Sequence, residues 1–101
     1  MSVPLPPGAD PKHADAWEVV DGVPVRMVWS KPLLPGDTGV DVRVVATQAG
    51  DGHILGGEPP EIYWDDDGGH SPAVARQVAE AILEACDLAD RWASRQLRLV
   101  T

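Results

Sequence analysis

The hydrophobic period of the chain changes once, at Ser71, and that change limits the folds open to it. Beyond it Val74, Val78, Ala81, Ile82, Ala85, Ala89 and Trp92 recur as one helical stripe, with Arg76, Gln77, Glu80, Glu84, Asp87 and Arg91 on the opposite side. Ser71 is a good N-cap, and Pro72 suits the first helical position, where its missing N–H leaves no bond unmade. The pattern predicts one amphipathic helix over 71–94, roughly 30 Å long at about 1.5 Å per residue. Its apolar stripe must be buried, and only strands precede it.

Those strands alternate with period two. Asp21-Gly22 separates WEVV from VPVRMVW, the two-residue hairpin signature, because both turn positions need positive φ and Asp-Gly tolerates it. In the second strand Val23, Val25, Met27 and Trp29 point one way and Pro24, Arg26, Val28 and Ser30 the other, and the first set is expected to face the core. KPLLPGDTG, residues 31–39, is a loop. VDVRVVATQ then sets Val40, Val42, Val44 and Ala46 against Asp41, Arg43, Val45 and Thr47. A turn at AGDG leads to a short return strand, HIL. EIYWD places Ile62 and Trp64 inside, with Glu61, Tyr63 and Asp65 outside. The expected fold is α+β: a three- or four-stranded antiparallel sheet over 16–65, with one C-terminal helix packed on one face. A chain of 101 residues holds one such core. The opening MSVPLPPGADPKHAD follows no periodicity and reads as a flexible Pro-rich arm, 1–15. The domain is expected to run from 16 to 96, with a tail at 97–101.

Charge narrows the function. All sixteen acids lie at or before Asp90, where only five basic side chains accompany them, while Arg91, Arg95 and Arg98 leave the end of the chain positive. Such a body repels phosphate backbones, so direct nucleic-acid binding is not expected. No apolar run approaches the roughly 18 to 20 residues that cross a bilayer, and no export signal opens the chain. A single cysteine, Cys86, forms no internal disulfide and no CxxC pair. These features point to a cytoplasmic protein that does not bind membranes.

EIYWDDDGGHSP, residues 61–72, crowds Glu61, Asp65, Asp66, Asp67 and His70 together. A calcium loop fails in register: with Asp65, Asp67 and Gly68 at its third, fifth and sixth positions, Tyr63 falls at the first and Val74 at the twelfth. His53, His70 and Cys86 show no paired zinc-ligand spacing. No metal or cofactor is therefore expected, and the aspartates read as acids preceding a helix N-terminus, where its dipole favours them. No serine lies in a GxSxG elbow, and Cys86 sits on or beside the apolar stripe, where a thiol is inert. No catalytic residues are assigned, and an enzyme is not expected.

The outer sheet face carries the binding expectation. If Val20 faces Val23 across the hairpin, Trp17 faces Arg26 and joins Val28 on the side away from the helix. Arg43, Val45 and Tyr63 on neighbouring strands complete a patch of interface-rich residue types. Trp17, Arg26, Val28, Arg43 and Tyr63 are the expected partner-binding residues; the alternative for Trp17 is a local cation–π stack on Arg26.

Strands followed by GGHSPAVARQVAEAILEA resemble the C-terminal half of a double-stranded RNA-binding domain, with Ser71, Ala75 and Arg76 matching that family's helix start by spacing. Pro72 and Ala73 stand where the family has two phosphate-gripping lysines. The resemblance thus implies the sheet-plus-helix fold without the RNA contacts. The Arg, Ala, Val and Asp bias resembles that of small orphan proteins of high-GC actinobacteria and their phages. The expected function is a small regulatory, inhibitory or accessory factor that binds another protein, or a second copy of itself, through its sheet face or edge. The alternative is a nucleic-acid mimic whose acidic patch, Asp65, Asp66 and Asp67, occupies a basic groove.

Overall fold

The computed structural model describes residues 3–34, 38–55, 57, 59–66 and 68–100, with backbone only at Asp66 and at 95–100. Four antiparallel strands, β1 (Glu18–Val20), β2 (Val23–Trp29), β3 (Val40–Ala49) and β4 (Glu61–Asp66), form one sheet in the order β1-β2-β3-β4. One helix, α1 (Pro72–Val100), covers one face and packs on β3 and β4. The α+β architecture is the expected one.

The β1–β2 hairpin turns as its sequence requires. Asp21 (φ 51°) and Gly22 (φ 79°) take the two left-handed positions, and Val20 pairs with Val23. At the start of α1 the Ser71 hydroxyl accepts the Val74 N–H at 3.2 Å, which makes Ser71 the N-cap. The helix runs past the expected end at residue 94 to Val100. No glycine or proline follows Pro72, and Gln96, Leu97, Arg98 and Leu99 include strong helix formers, so nothing in the chain stops it.

The core lies between β3 and α1. Val40, Val42, Val44 and Ala46 are buried against Ala81, Ala85, Leu88, Ala89 and Trp92. Alanine at 81, 85 and 89, one helical turn apart, lets the helix approach the valines closely. The long polar side chains at 76, 77, 80, 84, 87 and 91 are all exposed.

The expected facing of β2 is corrected. Val28 pairs with Ala46 and is completely buried in the core, whereas Met27 is 42% exposed on the other side with Trp29. The cause is register. β3 alternates cleanly, so its valines define the core side, but β2 carries apolar residues on both faces and takes its facing from its pairing with β3. A one-residue shift in that pairing exchanges the faces.

The Pro-rich N-terminal segment was expected outside the fold, yet residues 3–10 lie against it. The Val3 carbonyl accepts from Arg26 Nη2 at 2.9 Å and the Pro4 carbonyl from Gln48 Nε2 at 2.8 Å. The Pro7 carbonyl accepts the indole N–H of the fully buried Trp92 at 2.8 Å. Gly8 (φ 86°) passes so near Leu88 that a Cβ there would stand 3.3 Å from Leu88 Cδ1. This contact is why Leu88, outside the expected stripe, is buried. Further along, the Asp10 and Asp15 amides donate to the Trp29 and Met27 carbonyls, so this segment continues β1 along the edge of β2.

Candidate partner-binding face

The face of the sheet away from α1 is built by the alternate residues of three strands. Trp29 pairs with Val45, Arg43 with Tyr63, Asp41 with Asp65, and Val45 with Glu61. Residues directly opposite in an antiparallel ladder share a face, so all of these side chains stand on the uncovered side. Near the hairpin Val25 and Ala49 are buried, and the open part of the face begins at Met27.

An aromatic corner occupies its centre. The Trp29 and Tyr63 rings meet edge to face, with centroids 5.6 Å apart and planes at 87°. This arrangement sets the positive edge of one ring against the negative face of the other. Tyr63 remains 44% exposed. The two rings, with His13, Asp41 and Arg43, line a groove of about 260 Å³. A neighbouring groove of about 370 Å³ is lined by Met27, Val45, Thr47, Gly57, Pro59 and Glu61, among others.

Arg43, which lines the same groove as the two rings, is held by its neighbours. Its Nε donates to both oxygens of Asp41, at 3.0 and 2.9 Å, and its Nη1 donates to the Ser30 carbonyl at 3.2 Å. Asp10 Oδ2 lies 3.6 Å from the same Nη1 and 3.8 Å from His13 Nε2. The Lys12 amide, donating to Asp10 Oδ1, holds the Asp10 carboxyl below the usual aspartate range; partial burial opposes this, and His13 and Arg43 add to it. One guanidinium is thus neutralised by two carboxylates before any partner arrives.

The expected patch is divided between two faces. Arg43 and Tyr63 stand on the open side, but Arg26 and Val28 are on the side of α1, and Val28 is in the core. Trp17 stacks on Arg26, with the guanidinium carbon 4.4 Å from the ring centroid, so the local cation–π alternative holds. Arg26 is further tied by Nε to Gln48 Oε1 at 2.9 Å. Of the acidic patch, Asp65 stands on the open face opposite Asp41. The Asp66 backbone pairs with Val40, and Asp67 lies outside the described residues. Trp29 and Met27, assigned to the core from sequence, are the residues that reasoning missed. No local signal marks them, because the pairing with β3 alone turns them outward.

Elsewhere Cys86 is exposed rather than part of the buried stripe. His53 contacts Asp51 on the turn after β3, and the His53 amide chiefly lowers the Asp51 carboxyl. Among the described residues no group of three histidine, cysteine or acidic side chains could hold a metal ion, and no helix is long and apolar enough to cross a membrane. No protein-family model, curated protein or solved structure matches the chain.

Proposed function

We propose that the protein is a small, non-enzymatic cytoplasmic binding factor that docks another protein on the open face of its sheet, in a regulatory, inhibitory or accessory role. The observation that carries this reading is the Trp29–Tyr63 corner beside the exposed Met27, on the face opposite α1, bordered on one side by His13. Aromatic and methionine side chains are enriched at interface centres, and the aromatics contribute large contact areas at little conformational cost. Affinity capture from the native cell, followed by mass spectrometry, tests it. A specific protein should be retained by the wild-type chain and by Trp17→Ala, and lost with Tyr63→Ala or Met27→Ala. Equal retention by all four chains would remove the open face from the function.

A second reading, mimicry of nucleic acid, is favoured by one feature: Asp41 and Asp65 oppose each other directly across β3 and β4. Like charges in that arrangement destabilise a ladder, as phosphates held close together do. Mimicry requires that binding collapse with added salt and with Asp65→Asn, Asp66→Asn and Asp67→Asn, while Tyr63→Ala has little effect.

A further inference from the structure

We infer that the exposed Tyr63 ring, with Glu61 and Asp65 to either side of it on β4, receives an arginine or lysine side chain from an extended segment of the partner protein. This rests on the docking reading above and names the chemistry of what docks. Along the open side of β4 the sequence alternates Glu61, Tyr63 and Asp65. Residues two apart in a strand are separated by about 6.6 Å, so a carboxylate stands on each side of the Tyr63 ring. β4 is also the last strand in the sheet order, with an outer edge that no other strand pairs among the described residues.

The electrostatics select among partners. Arg43 and His13 are the basic groups at this face; Asp41 and Asp10 already engage Arg43, and Asp10 also lies 3.8 Å from His13. Among the described residues neither Asp65 nor Glu61 has an ion-pair partner. An acidic segment would meet Asp41, Glu61 and Asp65 together. A neutral apolar segment would bury Asp65 and Glu61 without counter-charge, which is costly unless a partner is supplied. A cationic side chain avoids both penalties: it lies against the negative face of the Tyr63 ring, pairs with the adjacent carboxylates, and relieves the repulsion between Asp41 and Asp65.

NMR titration of the isotopically labelled full chain tests this with three capped hexapeptides, Gly-Ser-X-Ser-X-Gly, in which X is arginine, glutamine or glutamate. The arginine peptide should give saturable shifts at the Trp29 indole N–H, the Tyr63 ring and the Val45 methyls, weakening as salt is raised. The glutamine peptide should bind several-fold less tightly and the glutamate peptide should not bind. Tyr63→Leu should weaken the arginine peptide roughly two- to fivefold, the range expected for an exposed cation–π contact, and Asp65→Asn should lower both its affinity and its salt dependence. Equal binding of the arginine and glutamine peptides on this face would overturn the inference and leave the docking reading standing. Shifts confined to residues outside the face would also overturn it. If no peptide perturbs the face, and Tyr63→Ala and Met27→Ala still retain the captured protein, the docking reading falls as well.

Discussion

Replacing Val28 and Met27 by alanine, one at a time, tests the facing of β2 on which the candidate binding face depends. Val28 is fully buried beside Ala46, and Met27 is 42% exposed on the opposite side. Truncating Val28 removes two buried methyl-sized groups at about 0.8 kcal/mol each, and the space left in a core closed by Val42, Val44 and the helix alanines adds a further cavity penalty, for a total of about 2 to 3 kcal/mol. Met27 loses more atoms but keeps much of its contact with water in the folded state, so its truncation should cost about 1 kcal/mol or less. A domain of this size has only about 5 to 15 kcal/mol in hand, and each kcal/mol moves its melting temperature by about 4 to 8 °C. Val28→Ala should therefore lower the melting temperature by roughly 10 to 20 °C, and Met27→Ala by less than about 8 °C. Urea unfolding followed by tryptophan fluorescence measures both, provided the slope m is unchanged. The reverse ranking would mean that Met27 and Trp29 face the helix and that the binding face has been assigned to the wrong side.

Two further outcomes follow from the same contacts. Trp92→Phe leaves the Pro7 carbonyl without its indole donor, and should cost about 1 to 3 kcal/mol while raising amide exchange in residues 3–10 above that of β3. If exchange there is unchanged, the segment is held by something other than Trp92. The Asp10 carboxyl is held below its ordinary value in the folded chain, chiefly by the Lys12 amide. The unfolded chain therefore binds its proton first as pH falls. The stability this group contributes is complete above its unfolded pKa, about 3.9, and is lost as pH drops through the lower folded value. Asp10→Asn should flatten the decline in the urea midpoint below about pH 4; an unchanged profile would show that Asp10 has no share in it.

Much of the architecture is legible in local pattern, because each signal is enforced within a few residues. Asp21-Gly22 must turn, Ser71-Pro72 must start a helix, and the alternation of Val40, Val42 and Val44 with Asp41 and Arg43 leaves one buried face for β3. On β4 the same alternation sends Ile62 inward and Tyr63 outward, but Trp64, expected inside with Ile62, is 54% exposed. Arg43 and Tyr63 could thus be placed on the open face from sequence, as could Asp65.

What only the tertiary structure decides is long-range and has no local signature. Apolar residues on both sides of β2 make its pattern compatible with either facing, and the ten residues between Trp29 and Val40 leave the register free; the pairing of Val28 with Ala46 settles it. That single shift takes Val28 off the candidate face and puts Trp29 and Met27 on it. The N-terminal segment lacks periodicity because it is held through carbonyls, to Arg26, Gln48 and Trp92, and backbone acceptors are the same at every residue. Sequence by itself determined the sheet strands, the helix and the face that β3 buries, since those follow from side chains within one element. The assembled sheet determined which aromatics meet, because the Trp29–Tyr63 corner exists only when β2, β3 and β4 pair in this register.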